Sequence, residues 1–390
     1  MATELRPLGV RCNISCRYCY QEPTRGQLGG VAAYDIDKML ASAEEIGAPI
    51  TVFGGEPLLL PVADLERLFA AGRDRLGGVS IQTNGTLITD AHIALFRAYD
   101  VRVGVSVDGP GELNELRWAH SADRTRTASE ASLQAIARLC AEGLTPSVIV
   151  TLHKANATAE RLPRLLEWMR DVDGRGVRFV RLHLLESESR VIRETYGLSE
   201  TETTRAMLAF LSLEQELTSV RFDIFMDIRA GLDPSGQGAT TCIWSACDPY
   251  TTAAVQGVEG DGSRSNCGRT NKEGIEFLKA DTPSYERYLA LYYTPQEHGG
   301  CHGCRFVALC KGQCPGTALD GDWRNRTEHC ASWFAVMEHV ERELLAKGTT
   351  PLSLDEHRPV LEAAMISAWE AGRNASPASI VRQQSGGLES

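Results

Sequence analysis

Three thiols, Cys12, Cys16 and Cys19, stand in a Cys-x3-Cys-x2-Cys array near the start of a 390-residue chain. Thiolates are soft anionic donors, and both zinc and iron–sulfur clusters take them. A loop with this spacing can close three thiolates around a [4Fe–4S] cube but supplies no fourth ligand, so one iron is left open for a small molecule. Structural zinc wants four ligands, usually from paired Cys-x2-Cys hooks, and three thiols spaced three then two fit it poorly. Cluster, zinc and a chance group of reduced thiols are the readings that the spacing leaves open.

Eight further thiols, Cys242, Cys247, Cys267, Cys301, Cys304, Cys310, Cys314 and Cys330, lie between positions 242 and 330. They suffice for two fully thiolate-ligated cubes; two structural zincs are the competing reading. Cys140, outside both arrays, falls on the apolar side of an expected helix and reads as a small buried hydrophobe. Twelve cysteines without a secretory signal read as metal ligands rather than disulfides, with the reducing cytoplasm as the expected compartment. The formal net charge of −11 argues against non-specific nucleic-acid binding. No apolar run approaches the roughly 20 residues of a membrane span. Hydrophobic residues at 43% and charged residues at 23% are ordinary for a globular protein, and the length allows two domains.

The elements that must position these thiols alternate. Short apolar strands are expected at Leu5–Val10, Ile50–Phe53, Val79–Gln82, Val101–Val107, Ser147–Leu152 and Val177–Leu185. Helical periodicity falls between them at Asp35–Ile46 (Asp35 as cap), Val62–Leu76, Asp90–Tyr99, Ala128–Glu142 and Arg161–Asp171. Gln21–Gly30 reads as a loop. The alternation is the pattern of an α/β fold with a parallel sheet and crossover helices, and six units are too few for a closed eight-unit barrel. Thr201–Leu217 is expected to be helical. From about Thr240 to Cys330 periodicity fades while cysteine and glycine rise, so metal clusters would substitute for a core. Helices return at Phe334–Ala346 and Leu354–Glu370, and Asn374–Ser390 reads as a loose tail.

With Tyr18 before the third cysteine, and with Gly54-Gly55-Glu56-Pro57 at the expected distance, the chain resembles the radical S-adenosylmethionine (SAM) superfamily. The resemblance implies an open six-unit (β/α) partial barrel over about 1–187. It also implies that the amine and carboxylate of SAM chelate the open iron, and that one electron splits the sulfonium to give a 5′-deoxyadenosyl radical. Gly54, Gly55, Glu56 and Pro57 would bind the methionine amino group. Ser106, in Gly104-Val105-Ser106-Val107-Asp108-Gly109-Pro110, would help bind the carboxylate, while Asp108 equally suits a turn. Gln82, Thr83 and Asn84 end the third strand on the rim where such sheets bind ligands. Arg124 or Arg126 is a candidate for the SAM carboxylate. Thr151, His153 and Asn156 end the fifth strand, and His183 and Glu186 lie near the end of the sixth; His153, His183 and Glu186 are the candidate substrate contacts.

Downstream, Cys247, Gly262-x4-Cys267, Cys301-x2-Cys304-x5-Cys310-x3-Cys314 and Cys330 resemble the SPASM auxiliary-cluster domain of radical SAM peptide maturases. In that family the last thiol of the x2-x5-x3 run crosses to the first auxiliary cluster. The resemblance therefore implies Cys242, Cys247, Cys267 and Cys314 for one cluster and Cys301, Cys304, Cys310 and Cys330 for the other. His302 and His329 flank these ligands and would tune or shield sulfur. The expected organisation is a radical SAM barrel at 1–187, a bridge at 188–239, a SPASM domain at 240–332, helices at 333–372 and a tail at 373–390. Anaerobic sulfatase-maturating enzymes carry an aspartate base where this chain has Gly268, which speaks against a formylglycine-generating role.

The expected function is modification of a ribosomally made precursor peptide. Hydrogen abstraction would lead to a crosslink or another oxidised product, with the auxiliary clusters taking the surplus electron. Cofactors would be three [4Fe–4S] clusters and SAM. A dehydrogenase or epimerase of a small molecule such as an aminosugar, and a non-catalytic iron–sulfur electron carrier, are the rivals. Expected partners are the peptide and an electron donor such as flavodoxin or ferredoxin. Only eleven residues precede Cys12, too few for a leader-binding domain. The leader is therefore expected on a separate recognition protein, or on the second domain and the helices from Phe334 to Glu370.

Overall fold

The strands alternate apolar and polar residues, and that alternation fixes which face of the sheet meets the helices. In Val79–Thr83 the odd positions are buried and Ser80 and Gln82 are half-buried; Ser147–Leu152 repeats the pattern. A parallel sheet covered on both faces would read as continuous apolar runs. Here one face packs under helices and the other carries hydroxyl, amide and imidazole groups. Residues 3–21, 33–187, 189–236, 241–242, 247–252, 255–269 and 280–386 are described by this computed structural model, with side chains to 381. The loop expected at Gln21–Gly30 lies outside them beyond Gln21.

Among the described residues nine strands form one sheet in the order β7-β6-β5-β4-β3-β2-β1-β8-β9. They are β1 Thr3–Arg6, β2 Ile50–Val52, β3 Val79–Thr83, β4 Arg102–Ser106, β5 Ser147–Leu152, β6 Phe179–Leu184, β7 Arg221–Phe222, β8 Gln256–Glu259 and β9 Arg264–Asn266. All neighbours are parallel except β8 and β9. The end strands β7 and β9 do not pair, so the sheet is open. Helices α1 Ile36–Ile46, α2 Val62–Asp74, α3 Asp90–Ala98, α4 Ala122–Ala141 and α5 Leu162–Gly174 make the crossovers. Asp35 caps α1, accepting from the main-chain N–H groups of Asp37 and Lys38. Helix α2 comes so close to the sheet that a Cβ on Gly72 would stand 2.6 Å from Val79 Cβ. Leu5, Val52, Ile81, Val105, Val150 and Leu182 are buried on the helix side, each worth about 1.5–3 kcal/mol.

Several boundaries differ from expectation. The first strand ends at Arg6 rather than Val10, because Pro7 has no N–H to donate and Gly9 turns the chain at φ +54°. Helix α4 starts at Ala122 rather than Ala128, on a Ser121 cap that accepts from Arg124 N–H; its polar first turns face water and so carry no apolar period. The compact units are not consecutive in sequence. One comprises Met1–Ala206, Leu213–Phe222 and Val255–Phe277; the other comprises Met207–Ser212, Asp223–Ala254 and Leu278–Ser390. Residues 213–222 and 255–277, expected in the bridge and the cysteine-rich span, join the first unit because β7 pairs with β6 and β8 with β1.

After β6 come α6 Arg190–Tyr196 and α7 Glu200–Leu213. The second unit contains α8 Asp223–Leu232, α9 Glu286–Tyr293, α10 Cys330–Ala346, α11 Arg358–Glu370 and α12 Pro377–Gly386. Helix α10 begins at Cys330, a turn before the expected Phe334, and α11 begins at Arg358, where Pro359 suits a first helical turn. Within the tail expected to be loose, Pro377–Gly386 forms α12. Ala375 and Ile380 pack with Tyr288, Met365 and Trp369, a sparse apolar stripe whose partner is supplied only by the fold. Among the described residues no helix is long and apolar enough to cross a membrane.

Candidate functional site

The thiol loop follows β1 and is held by two other segments. Gly55 N–H donates to Gly9 C=O at 2.9 Å, and Glu56 N–H to Arg11 C=O at 2.9 Å. Only glycines fit this approach: a Cβ on Gly54 would stand 2.6 Å from the Gly9 carbonyl oxygen, and one on Gly55 2.0 Å from that of Arg11. The Glu56 carboxylate is buried and fully engaged. It accepts from Leu58 N–H (3.0 Å), the Thr83 hydroxyl (2.7 Å) and Asn84 N–H (2.8 Å). Burial nevertheless pushes its carboxyl above the usual range. The Asn84 side chain donates to Asn13 Oδ1 at 2.8 Å and lies 3.8 Å from Cys12 Sγ, so the end of β3 is tied to the first thiol. Pro57 opens the short helical turn that follows.

Behind the loop, Ser15 and Arg17 N–H donate to the carbonyls of Trp118 (2.6 Å) and Leu116 (2.8 Å). Between those carbonyls Arg117 turns inward, donating to the Tyr18 hydroxyl at 2.9 Å and standing 3.6 Å from Asp108 Oδ1. Asp108 is fully buried and receives Thr151 N–H (3.0 Å), the Tyr18 hydroxyl and, at 3.3 Å, the Nε2 side of His153. Burial opposes its charge, but Arg117 and the bonds from His153 and Tyr18 outweigh that and hold the carboxyl below its ordinary value. Asn156 bridges the carbonyls of Asp108 and Thr151. His153 is wholly buried in this network, its ring tilted against that of Tyr18 with 5.2 Å between centroids. Arg124 and Arg126 lie exposed at the start of α4; Arg117, which no periodicity marks out, is the arginine beside the thiol loop. Gln82 Nε2 donates to Ser106 Oγ at 3.3 Å, and Thr151 pairs with His183 across β5 and β6. These residues share the polar face.

A second polar cluster in the same unit adjoins Cys19. Glu4 on β1 accepts from Gly268 N–H at 3.2 Å and lies 3.9 Å from Cys267 Sγ. Burial raises its carboxyl. Gly268 leaves room above Arg6 and Tyr20: a Cβ there would stand 3.0 Å from Arg6 Nη1 and 3.3 Å from the Tyr20 hydroxyl. Arg269 Nε donates to Glu186 at 2.7 Å, a pair in which Glu186 is buried. His183 is half-buried; burial, then the charges of Arg269 and Arg181, hold its imidazole well below the ordinary value, so it is neutral at pH 7.

In the second unit Cys301, Cys304, Cys310 and Cys330 come together: each of the other three thiols bears electrostatically on Cys310. Burial pushes the Cys301 thiol up to about 12. The loop has little core and hangs on buried Arg287, which donates to the carbonyls of Trp323 (2.6 Å), Lys311 (3.0 Å) and Asn325 (3.0 Å). Lys311 is also buried, 5.4 Å from the Tyr288 ring and 5.8 Å from that of Trp369, and burial brings its ammonium down to about 7. Neither residue carries a sequence signal, because each works through main-chain carbonyls or rings distant in the chain. Cys247 and Cys314 are buried and Cys242 is half-buried in this unit, while Cys267 follows β9 in the first. His302 is hydrogen-bonded to the Tyr292 carbonyl at 3.2 Å, and His329 lies 3.7 Å from Glu328. Cys140 is half-buried on α4.

The donor chemistry suits iron–sulfur clusters. Burial pushes the Cys16 thiol up to about 12, with Cys12 and Cys19 adding to the rise. Thiols so placed ionise when a group with positive charge binds several of them at once. Among the described residues no three His, Cys, Asp or Glu side chains converge on a point fit for a single metal ion; a cube spreads its ligands over separate irons.

Residues 7–169 match the Radical SAM superfamily model. The chain is 31% identical over 221 residues to the serine-type anaerobic sulfatase-maturating enzyme of Klebsiella aerogenes, covering 52% of this chain and 51% of that one. It is 29% identical over 213 residues to a probable GTP 3′,8-cyclase of Methanopyrus kandleri, covering 54% and 64%. The chain thus spans about half the length of the sulfatase-maturating relatives. Two solved structures share the fold. One is the sulfatase-maturating enzyme anSMEcpe with bound AdoMet and the Cp18Cys peptide (TM-score 0.66, 18% identity, 88% of this chain and 98% of that one). The other is Streptococcus suis SuiB bound to its precursor peptide SuiA (TM-score 0.52, 14% identity, 84% and 75%).

Proposed function

Because residues 7–169 match the Radical SAM superfamily model, we propose that the chain is a radical SAM maturase that modifies a ribosomally made precursor peptide. One observation carries the reading: the three-thiol loop is locked by main-chain bonds to Gly54-Gly55-Glu56 beside a polar sheet face. Cys12, Cys16 and Cys19 would hold a [4Fe–4S] cluster, and Gly54–Pro57, Gln82, Asn84, Ser106 and Thr151 would line the SAM site. Bound together, those groups supply a 5′-deoxyadenosyl radical able to take hydrogen from an unactivated carbon. Glu56 and Asn84 hold the motif segments in register. Tyr18 and Asp108 fix the back of the loop, and neutral His183 with the Arg269–Glu186 pair offers polar contacts to a substrate at the strand ends.

The second thiol group, Cys301, Cys304, Cys310 and Cys330, would hold one of two auxiliary clusters that accept the surplus electron when a crosslink or another oxidised product forms. Gly268, which leaves no side-chain base after Cys267, favours such products over formylglycine. A flavodoxin or ferredoxin would supply electrons, and a separate protein or the second unit would grip the leader. The likeness to a probable GTP cyclase favours a small-molecule substrate as the alternative. The deciding assay offers the reduced, anaerobically reconstituted protein SAM and the short peptide encoded beside its gene. The expected result is a mass loss of about two hydrogens, with deuterium from a labelled residue recovered in 5′-deoxyadenosine. If no encoded peptide changes while a labelled aminosugar or nucleotide passes deuterium to 5′-deoxyadenosine, the peptide reading fails and the alternative stands.

A further inference from the structure

The reading above gives Asp108 only a supporting part behind the loop, and gives its buried partner Arg117 none. Arg117 and Asp108 lie against the thiol loop, largely away from solvent. The Arg117 side chain is 13% exposed and that of Asp108 is 0% exposed. Burying a charge is costly, and a buried pair is weak as a source of stability compared with apolar packing of the same volume. Its place is specific all the same. Arg117 sits between the two carbonyls, of Leu116 and Trp118, that hold Arg17 and Ser15, and its guanidinium donates to Tyr18, two residues from Cys16. Asp108 accepts from the same Tyr18 hydroxyl, and also from Thr151 N–H, with His153 on its far side. The pair thus sets two opposite charges behind the loop, Arg117 between the carbonyls that bind it and Asp108 on the Tyr18 hydroxyl.

We propose that Arg117 sets how readily the metal centre of the Cys12–Cys19 loop accepts an electron, with Asp108 opposing it. The inference rests on the radical SAM reading. In the step concerned, one electron enters from an external one-electron reductant, no bond forms or breaks, and the cluster with its three thiolates becomes more negative by one charge. A fixed positive charge favours that state and a fixed negative charge disfavours it, and both effects are stronger in a buried, weakly polarisable setting than in water. Arg117 touches no substrate; it is a positioning residue that acts through Tyr18 and through its field.

The test is a potentiometric titration of the full-length, anaerobically reconstituted protein, followed by electron paramagnetic resonance. The relevant signal is the one that changes when SAM is added, and iron and sulfide assays report loading. Arg117→Met is expected to move the midpoint to more negative potential, Arg117→Lys to leave it near the parent's, and Asp108→Asn to move it to more positive potential. Asn keeps an oxygen to accept Thr151 N–H. Opposite shifts are the signature, since loosening the loop would disturb both variants alike. Equal midpoints, or Met and Asn variants that shift in the same direction, overturn the proposal. If Arg117→Met loads no cluster, Asp108→Asn decides: a positive shift supports the proposal, and none or a negative one overturns it. A parent protein with no SAM-sensitive signal takes down the functional reading and this inference together. A SAM-sensitive parent with unmoved variants takes down this inference alone.

Discussion

At the residue scale, the candidate site depends on thiols that burial alone would keep protonated. Cys16 is the clearest case, its thiol pushed up to about 12. Such a side chain is a poor nucleophile and a good ligand once a cationic group draws off its proton. Three clusters per chain would give about twelve irons, and changing Cys12, Cys16 and Cys19 together to Ala should leave about eight. SAM cleavage should disappear while the second thiol group keeps its metal. An iron assay with chromatography of 5′-deoxyadenosine checks this. Zinc in the parent protein in place of iron, or cleavage surviving the triple change, would remove the assignment. The same scale explains the arginine. Arg124 and Arg126 had the right neighbourhood in sequence, but α4 begins early enough to turn both to water, whereas Arg117 lies in irregular chain and is aimed inward by its neighbours' carbonyls.

At the element scale, the edge strand β7 of the first unit is held by one carboxylate. Asp173, near the end of α5, accepts from Ser219 N–H (2.7 Å), Val220 N–H (2.7 Å), and Thr218 N–H and hydroxyl (3.1 and 2.9 Å). Those bonds deliver β7 to the edge of β6. Burial raises the carboxyl, but the main-chain donors outweigh it and hold the value below the ordinary 3.8. A depressed folded-state value means stability that is present above the unfolded value and lost as pH falls through the folded one. Denaturant titrations should therefore show this contribution intact at pH 5–7, as an order-of-magnitude window, and fading below the ordinary aspartate range. Asp173→Asn should cost about 1–3 kcal/mol at neutral pH and flatten the acid limb. An unchanged acid limb in the Asn variant would show that Asp173 is not its source.

At the scale of the whole molecule, the two thiol groups belong to different compact units. The Cys12–Cys19 loop is in the first, and Cys301, Cys304, Cys310 and Cys330 are in the second. Radical initiation and product formation should therefore separate. Cys304→Ala or Cys310→Ala should leave SAM cleavage while product formation falls and about four irons are lost. Product at the parent rate would end the electron-accepting role. Because metal binding contributes folding energy in such loops, circular dichroism and the iron count of the first loop accompany the assay. Intact first-loop iron with lost product is the expected pattern.

The sequence by itself determined the alternation of six strands with helices and the grouping of the cysteines, while the open sheet and the role of Gly54–Pro57 beside the thiol loop were legible only through the family resemblance. The alternation and the grouping are local properties: period-two burial, capping residues and fixed spacings act over a few neighbours. Legibility failed wherever a residue's partner is far along the chain. The hairpin of β8 and β9 extends the first sheet because β1 offers an unpaired edge, and no feature of 255–266 announces that. Asp108 could be read as a turn residue until β5 and the thiol loop closed around it. Arg287 and Lys311 look like surface charges until the carbonyls and rings that bury them are brought in from 23–64 positions away. Pro377–Gly386 looks like a loose tail until Tyr288 and Trp369 give Ile380 a surface to cover. Tertiary structure decided these because an isolated charge or a sparse apolar stripe gains its favourable environment only when distant backbone and side chains enclose it.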